Sequence, residues 1–382
     1  MDETSPVATK ENPPVMPMPG KEAPWKPLAI VLVLALVVYA AFTQTNFFDF
    51  LGFGSGAKLS GLEVASRLGG FLDKAMKNES QTAQSFACSN TTHECVPQVA
   101  PGSSPVGGFP ARGYLALGVA TNNDAYRMQA QQSIEEARVR CAQNTAICSQ
   151  NVLSFHQLYK NTSGEQYTQA MELSGALLLN PGISYAEAVR TDTGMKLLAL
   201  FEVTGQEEYR GRLVTLAQEV FGGAHENNFA RVLYKEGEFY LHDSMIEMAG
   251  SILVPAYRAT GNVSYLDKAQ SILLNANVVD HAASLESKTL LRAAGALLDL
   301  VDATDGEAKQ AYKNEATKIL EYLVERRLDV AEHQLFNGDG GLVETEGQSL
   351  AVKQVSTADE AIEIFLRLQS ARFSVMTAEM PQ

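Results

Sequence analysis

Residues 195–221 read MKLLALFEVTGQEEYRGRLVTLAQEVF, and the punctuation of this stretch decides the fold. MKLLALFEV is apolar nearly all round, as a helix enclosed by neighbours should be, whereas RGRLVTLAQEVF keeps one polar face for solvent. Between them stands Thr204-Gly-Gln-Glu-Glu-Tyr209. Gly205 can take the left-handed stop after a helix, the acids favour the next N-terminus, and the tyrosine can pack back across the turn. The stretch therefore reads as a helical hairpin.

The same Thr-x4-Tyr pattern recurs at Thr121–Tyr126, Thr162–Tyr167 and Thr260–Tyr265, and Thr304–Tyr312 is a looser copy with three extra residues. Successive threonines are 41, 42, 56 and 44 residues apart, the length of a helix pair. An open solenoid would use helices more alike than these, so the polarity difference predicts an inner ring wrapped by an outer one. Inner segments are expected near 112–120, 150–160, 193–203, 244–259, 287–303 and 358–370, and outer ones near 124–142, 165–179, 206–220, 263–276 and 307–326. The sixth outer helix is missing after Phe373, and GLEVASRLGGFLDKAMK (61–77) can supply it from the N-terminal side.

These turns, the inner and outer alternation, and the segment GDGGLVETEGQSLAVKQVSTADEAIEIFLRLQ resemble the six-hairpin (α/α)6 toroid proteins, which include glycoside hydrolases, sugar epimerases and polysaccharide lyases. The resemblance spans roughly residues 59–371 and is one of pattern, with no family-specific catalytic motif matched. It implies an all-α toroid with small β-hairpin inserts and raises the expectation of a carbohydrate-active enzyme, although fold does not fix function.

The 382 residues are 46% hydrophobic and 19% charged, enough for a substantial core, and a formal net charge of −14 argues against nucleic acid as a partner. Residues 1–26 are Pro-rich and without hydrophobic periodicity, a disordered tail. No charge occurs from Pro27 to Phe48, which reaches the roughly 20 residues a helix needs to cross a bilayer. We read 27–48 as a transmembrane signal anchor. Val38-Tyr39-Ala40 would pass as a cleavage site, but a 26-residue leader with four acids and three lysines is long and weakly charged for a cleaved signal. Lys21 and Lys26 precede the span and Asp49 follows it, which places the tail in the cytoplasm. A linker (49–58), the toroid (59–373) and a short tail (374–382) then lie outside, in the cell-membrane context of a single-pass protein whose partner is the lipid bilayer.

Cys88-x6-Cys95 and Cys141-x6-Cys148 all follow the span, and an even number outside the cytoplasm suggests disulfides, with three connectivities open. A local Cys141–Cys148 bridge requires a break near Asn144-Thr145-Ala146, because one continuous helix would hold them about 10 Å apart along its axis. Zinc, with His93 nearby, is disfavoured by the six-residue gaps. Asn78, Asn90, Asn161 and Asn262 open sequons that would be glycosylated where the machinery exists.

In such a toroid one rim collects the loops that lead into the inner helices. Asp192, Asp243, Glu286, Asp359 and Glu360 recur there, with Glu247 one turn inside. They are the candidates for general acid and base groups in glycosidic cleavage. Asp243 and, taken singly, Asp192, Glu286 and Asp359 also have an explanation as helix caps or first-turn anions. Glu247 does not, since it lies within an apolar helix and needs Arg258, His242 or a ligand as compensation. Tyr240, His242, Tyr257 and Glu360 are candidate substrate contacts, and His156 reads as a core histidine. Residues 230–243 alternate like a β-hairpin leading into Asp243. Residues 333–348 read as a solvated loop whose Asp339, Glu344 and Glu346 lack the spacing of a calcium loop. No metal or cofactor is expected. The only tryptophan, Trp25, precedes the span, which weakens the case for sugar stacking. The expected function is a membrane-anchored extracytoplasmic, glycoside hydrolase-like protein working with paired carboxylates. The alternative is a non-catalytic scaffold that binds glycans or envelope proteins.

Overall fold

The computed structural model describes residues 58–76, 85–89, 91–98, 111–183, 187–188, 191–221, 245–275, 278–331, 335–345, 350–369 and 371–374. The chain divides into Met1–Ser55 and Gly56–Gln382, and every described residue belongs to the second unit. The membrane anchor at 27–48 and the hairpin at 230–243 lie outside the described residues. Among the described residues no helix is long and apolar enough to cross a membrane.

Among the described residues, twelve helices form the ring. The first outer helix is α1 (Gly61–Met76). Five inner-to-outer hairpins follow: α2 (Arg112–Thr121) with α3 (Asp124–Cys141), α4 (Thr145–Thr162) with α5 (Glu165–Glu172), and α6 (Thr193–Thr204) with α7 (Glu207–Phe221). The fourth inner helix is α8 (Val254–Thr260), preceded by a π-helical turn (Ala249–Leu253), and it leads to α9 (Val263–Asn275). Then come α10 (Ser287–Ala303) with α11 (Gly306–Arg326), and the last inner helix α12 (Val355–Arg367). Inner neighbours touch in the order α2, α4, α6, α8, α10, α12 and back to α2, and α1 packs on α12 as its outer partner. The ring closes as the sequence predicts.

Burial follows the polarity rule. In α6, Lys196 to Leu200 are buried without a break, whereas α11 buries Tyr312, Ala316, Ile319, Leu320, Leu323 and Val324, one face at helical spacing. The turns show why the repeat begins with threonine. Thr121, Thr162, Thr204, Thr260 and Thr304 each donate their hydroxyl to the carbonyl four residues back, at 2.6 to 2.9 Å. Each hydroxyl thereby bonds back onto its own last turn, which holds the threonine side chain at the helix end where the chain turns. Gly205 and Gly261 take φ of +68° and +69° as left-handed caps, and Tyr167, Tyr209, Tyr265 and Tyr312 are buried beneath the turns.

Three small sheets tie the ends. β1 (Lys58–Ser60) pairs antiparallel with β7 (Arg372–Ser374), in register Leu59 to Phe373, so both ends of the toroid are clasped together. β2 (Ser85–Ser89) lies between β3 (Cys95–Gln98) and β6 (Leu350–Gln354), and β4 (Leu328–Val330) pairs with β5 (Asp339–Leu342). The described part of 333–348, residues 335–345, is thus not a solvated loop. Asp339 and Glu344 are 7% and 5% exposed, because β5 packs on α1 and the segment lies against the start of α10.

Both disulfides are local. Cys88 and Cys95 face each other across β2 and β3, and Cys141 ends α3 while Cys148 stands in the first turn of α4. The helix breaks at 142–144, where the Asn144 side chain accepts from the Ala146 N–H. With all four sulfurs paired, no thiolate remains for zinc.

The fourth inner helix departs from α geometry for a legible reason. Pro255 has no N–H to return to the Ser251 carbonyl, and the preceding turn is wound wider, with the Val254 N–H on the Ala249 carbonyl. Gly194 of α6 approaches that Ser251 carbonyl so closely that a Cβ there would lie 2.1 Å from it. Gly194→Ala is expected to destabilise the toroid by roughly 1–3 kcal/mol through overpacking, read as a lower urea midpoint with an unchanged slope.

Candidate functional site at the rim of the inner helices

The starts of α6, α10 and α12 and the turn carrying Glu247 bring four acids and four cations together. Arg292, in the second turn of α10, is the hub. Its Nη2 lies 2.8 Å from Asp192 Oδ1 and its Nη1 2.8 Å from Glu247 Oε1. Thr289 Oγ1 stands 3.5 Å from the same Glu247 oxygen. Glu247's partner is therefore Arg292 of the neighbouring inner helix and not Arg258. Arg258 stands three turns further along and binds Glu202 at 2.9 Å.

The caps expected of Asp192, Glu286 and Asp359 do not form. Asp192 occupies the N-cap position of α6 with φ of +54°, yet its carboxylate makes no capping bond and is turned to Arg292. Aspartate tolerates this left-handed backbone better than most residues, and holding it there is a modest strain directed at the site. Glu286 precedes α10, caps nothing through its side chain and is exposed. Asp359 lies a full turn inside α12, where its Oδ1 accepts from the Gly113 N–H at 2.7 Å. Asp243, His242 and Tyr240 fall outside the described residues. Tyr257 sits in the last turn of α8, about 15 Å along the helix from Glu247 at 1.5 Å per residue, and is not part of this cluster.

Electrostatics separate the acids. Burial pushes the Asp359 carboxyl up to about 7, against the pull of Arg112 and the Gly113 N–H. Burial also raises Glu360 above the usual carboxylate range, opposed first by Arg292 and reinforced by the nearby Asp192. Lys196 is buried, and that burial brings its ammonium down to about 8 despite Asp192. The Arg292 guanidinium stays charged: burial works against it, but Asp192, Glu360 and Glu247 together raise its pKa. Carboxyls held toward neutrality thus stand beside carboxylates in ion pairs, the arrangement from which acid and base roles can be divided. Two of these four acids lean to the neutral form; Arg112 has its own counter-ion in Glu363, and Asp192 and Glu247 share Arg292, so it is Lys196 and Lys288 that lean the rim toward an anionic ligand.

Arg292, Lys196 and Arg112 were not singled out by sequence reasoning. Arg292 and Lys196 interrupt apolar inner helices, LLRAAGALL and GMKLLALF, the same signal that picked out Glu247. Asp339 and Glu344, the described acids of 333–348, serve elsewhere. Lys353, with no exposed side-chain surface, donates to Asp329 Oδ2 at 2.6 Å, Asp339 Oδ1 at 2.8 Å and Asn337 Oδ1 at 3.2 Å, so an ammonium fills the place a metal would need. Glu344 accepts from Thr357, and burial lifts its carboxyl to about 7. Glu346, Asn78 and Asn90 lie outside the described residues, whereas Asn161 and Asn262 are exposed near hairpin turns.

No protein-family model matches the chain, and no curated protein matches it by sequence. Solved structures do. An Asp-to-Asn variant of the unsaturated glucuronyl hydrolase of Streptococcus agalactiae, complexed with dGlcA-GalNAc6S, is 12% identical with a TM-score of 0.58, over 82% of this chain and 93% of that one. An unsaturated glucuronyl hydrolase specific for heparin gives 13% and 0.57, over 81% and 97%. The unsaturated glucuronyl hydrolase of Bacillus sp. GL1 gives 14% and 0.56, over 80% and 96%. The chain has their fold, a six-hairpin (α/α)6 toroid.

Proposed function

We propose that this chain is a glycosidase-like, carbohydrate-active protein whose rim takes a glycan bearing a carboxylate. The reading is carried by the grouping of Asp192, Glu247 and Glu360 around Arg292. In it Glu360, biased to its protonated form, donates to the glycosidic oxygen as the bond breaks. Asp192 or Glu247 stays ionised to activate water or to stabilise the developing positive charge. The excess of cations, Lys196 among them, would receive the substrate carboxylate. Solved toroids of the same fold that are unsaturated glucuronyl hydrolases support this substrate class. Two local disulfides support a domain outside the cytoplasm, held there by the anchor at 27–48.

The test is to incubate the full chain with unsaturated uronyl disaccharides and with their neutral counterparts, following product release. Turnover of the uronyl substrates that falls at least about 100-fold in Glu360→Gln, the usual scale of general-acid assistance, is the expected result. If every glycan is returned unchanged by folded protein, the hydrolase reading fails. A second reading, glycan binding without turnover, is favoured by one observation: Asp192 and Glu247 already have an internal partner in Arg292. Saturable binding of the uronyl disaccharides with no product would select it.

A further inference from the structure

An enclosed cluster of ions lies where β6 leads into α12. Lys353 of β6 and Asp329 of β4 have no exposed side-chain surface, and Asp339, which opens β5, has 4%. Lys353 Nζ stands 2.6 Å from Asp329 Oδ2 and 2.8 Å from Asp339 Oδ1. One ammonium between two carboxylates leaves a net negative charge in the interior, where the lost solvation of an ion pair can exceed its attraction. An amide in place of the closer pair would remove two of the three charges.

The geometry supplies what that condensation needs. The Phe336 N–H donates to Asp329 Oδ1 at 3.0 Å and the Gly338 N–H to Oδ2 at 3.2 Å. Fixed donors of this kind stabilise the charge that gathers on oxygen as a carboxyl carbon turns tetrahedral. Asp339 Oδ1 is itself held by the Gly341 N–H at 2.9 Å, within reach of the amine's protons. The lysine stem runs past Gly341, where a Cβ would lie 2.9 Å from Lys353 Cδ and 2.8 Å from the Phe71 ring, so its course is fixed. The Phe336 ring stands 5.6 Å from Nζ. Groups confined in this way gain the advantage of an intramolecular reaction, and the exclusion of water opposes hydrolysis of the product. Asn337 Oδ1, at 3.2 Å from Nζ, belongs to an exposed residue and is the more distant acceptor.

We infer that Lys353 and Asp329 are the partners of an intramolecular isopeptide bond, with Asp339 as its proton relay. Nζ gives up a proton to Asp339 and attacks Asp329 Cγ; the new C–N bond forms as the bond from Cγ to Oδ2 breaks. Two of the three ammonium protons pass by way of Asp339 to Oδ2, which leaves as water, and the third stays on the amide nitrogen. The charges of the pair cancel, Asp339 is returned as it began, and no oxidant, reductant or activating group is consumed. The bond joins residues 24 apart in sequence. It fastens β6 to β4 just ahead of α12, the helix that carries Asp359 and Glu360. It is separate from the glycan chemistry proposed above, and mass alone tests it.

The experiment is peptide mapping of the purified full chain, denatured and reduced before digestion. Cleavage after glutamate separates 326–332, which holds Asp329, from 333–344, which holds Asn337 and Asp339, and from 347–360, which holds Lys353. Fragments 326–332 and 347–360 should travel as one species, lighter than their sum by one water, and trypsin should fail to cut after Lys353. In Lys353→Arg, which keeps the charge but lacks the amine, the two fragments should separate. Asp339→Asn should slow the linkage by at least about 100-fold, the usual scale of a lost proton relay. Should either variant fail to fold, the digest of the parent still decides. The inference is overturned if the two parent fragments run separately at their own masses, if Lys353 is joined to 333–344 instead, or if Asp339→Asn links as fast as the parent.

Discussion

Arg292→Met should lower the stability of the toroid by about 3 kcal/mol, read from urea unfolding of the full chain at pH 7. Breaking a buried ion pair by removing one partner costs about 3–5 kcal/mol, because the other charge stays behind unpaired. Here two carboxylates stay behind. Asp192 and Glu247 keep 24% and 16% of their side-chain surface exposed, so water can relieve part of the loss, and the low end of that range applies. Methionine preserves the apolar stem against the inner helices and removes only the guanidinium. The cause is checked by a second variant, Arg292→Met with Glu247→Gln. With one orphaned charge removed, it should recover about half of the loss, a coupling that independent residues would not show. If the single variant is as stable as the parent, the Arg292 bridge is not structural, and binding of an anionic ligand is left as the reason for a buried guanidinium.

Arg292 also marks where sequence reading stopped. The ring itself was legible because its signals are local. Threonine with a stop glycine at 204–205 and 260–261, the buried tyrosine that follows, and the polarity step across each turn depend on a few neighbouring residues. The closure by α1 was legible by counting. Pairing within the site was not, because Asp192 and Arg292 are 100 residues apart and meet only when three inner helices are set side by side. Charges inside apolar helices could have been read together. Lys196, Glu247, Arg292 and Asp299 interrupt such helices and all face the axis or its rim. The segment 333–348 misled for a different reason. Its glycines and acids have the composition of a loop, but Lys353 and Thr357, from β6 and α12, neutralise or bond those acids and let them be buried.

The pH dependence of stability tests whether the rim keeps a proton where chemistry would use one. Asp359 has an ordinary value of 3.8 and is raised to about 7 in the folded chain, by burial above all. Between those values the native state holds a proton that the unfolded chain has released. Stability therefore falls as pH rises through the window, by up to about 1.4 kcal/mol per pH unit for one group. Below the window both states are protonated and no penalty exists; above it the penalty is complete and constant. Glu344, also raised to about 7, acts in the same sense, as does the raised Glu360. Lys196, lowered from 10.5 to about 8, acts oppositely and at higher pH, since there the unfolded chain is the one that holds the extra proton. Asp359→Asn keeps an acceptor for the Gly113 N–H and cannot ionise. It should flatten the slope between pH 5 and 7 and be more stable than the parent at pH 8, measured by urea unfolding across that range. An unchanged slope with lower stability at pH 8 would mean that Arg112 holds Asp359 ionised. The proton store of the rim would then rest on Glu360 alone, the group that the proposed acid step uses.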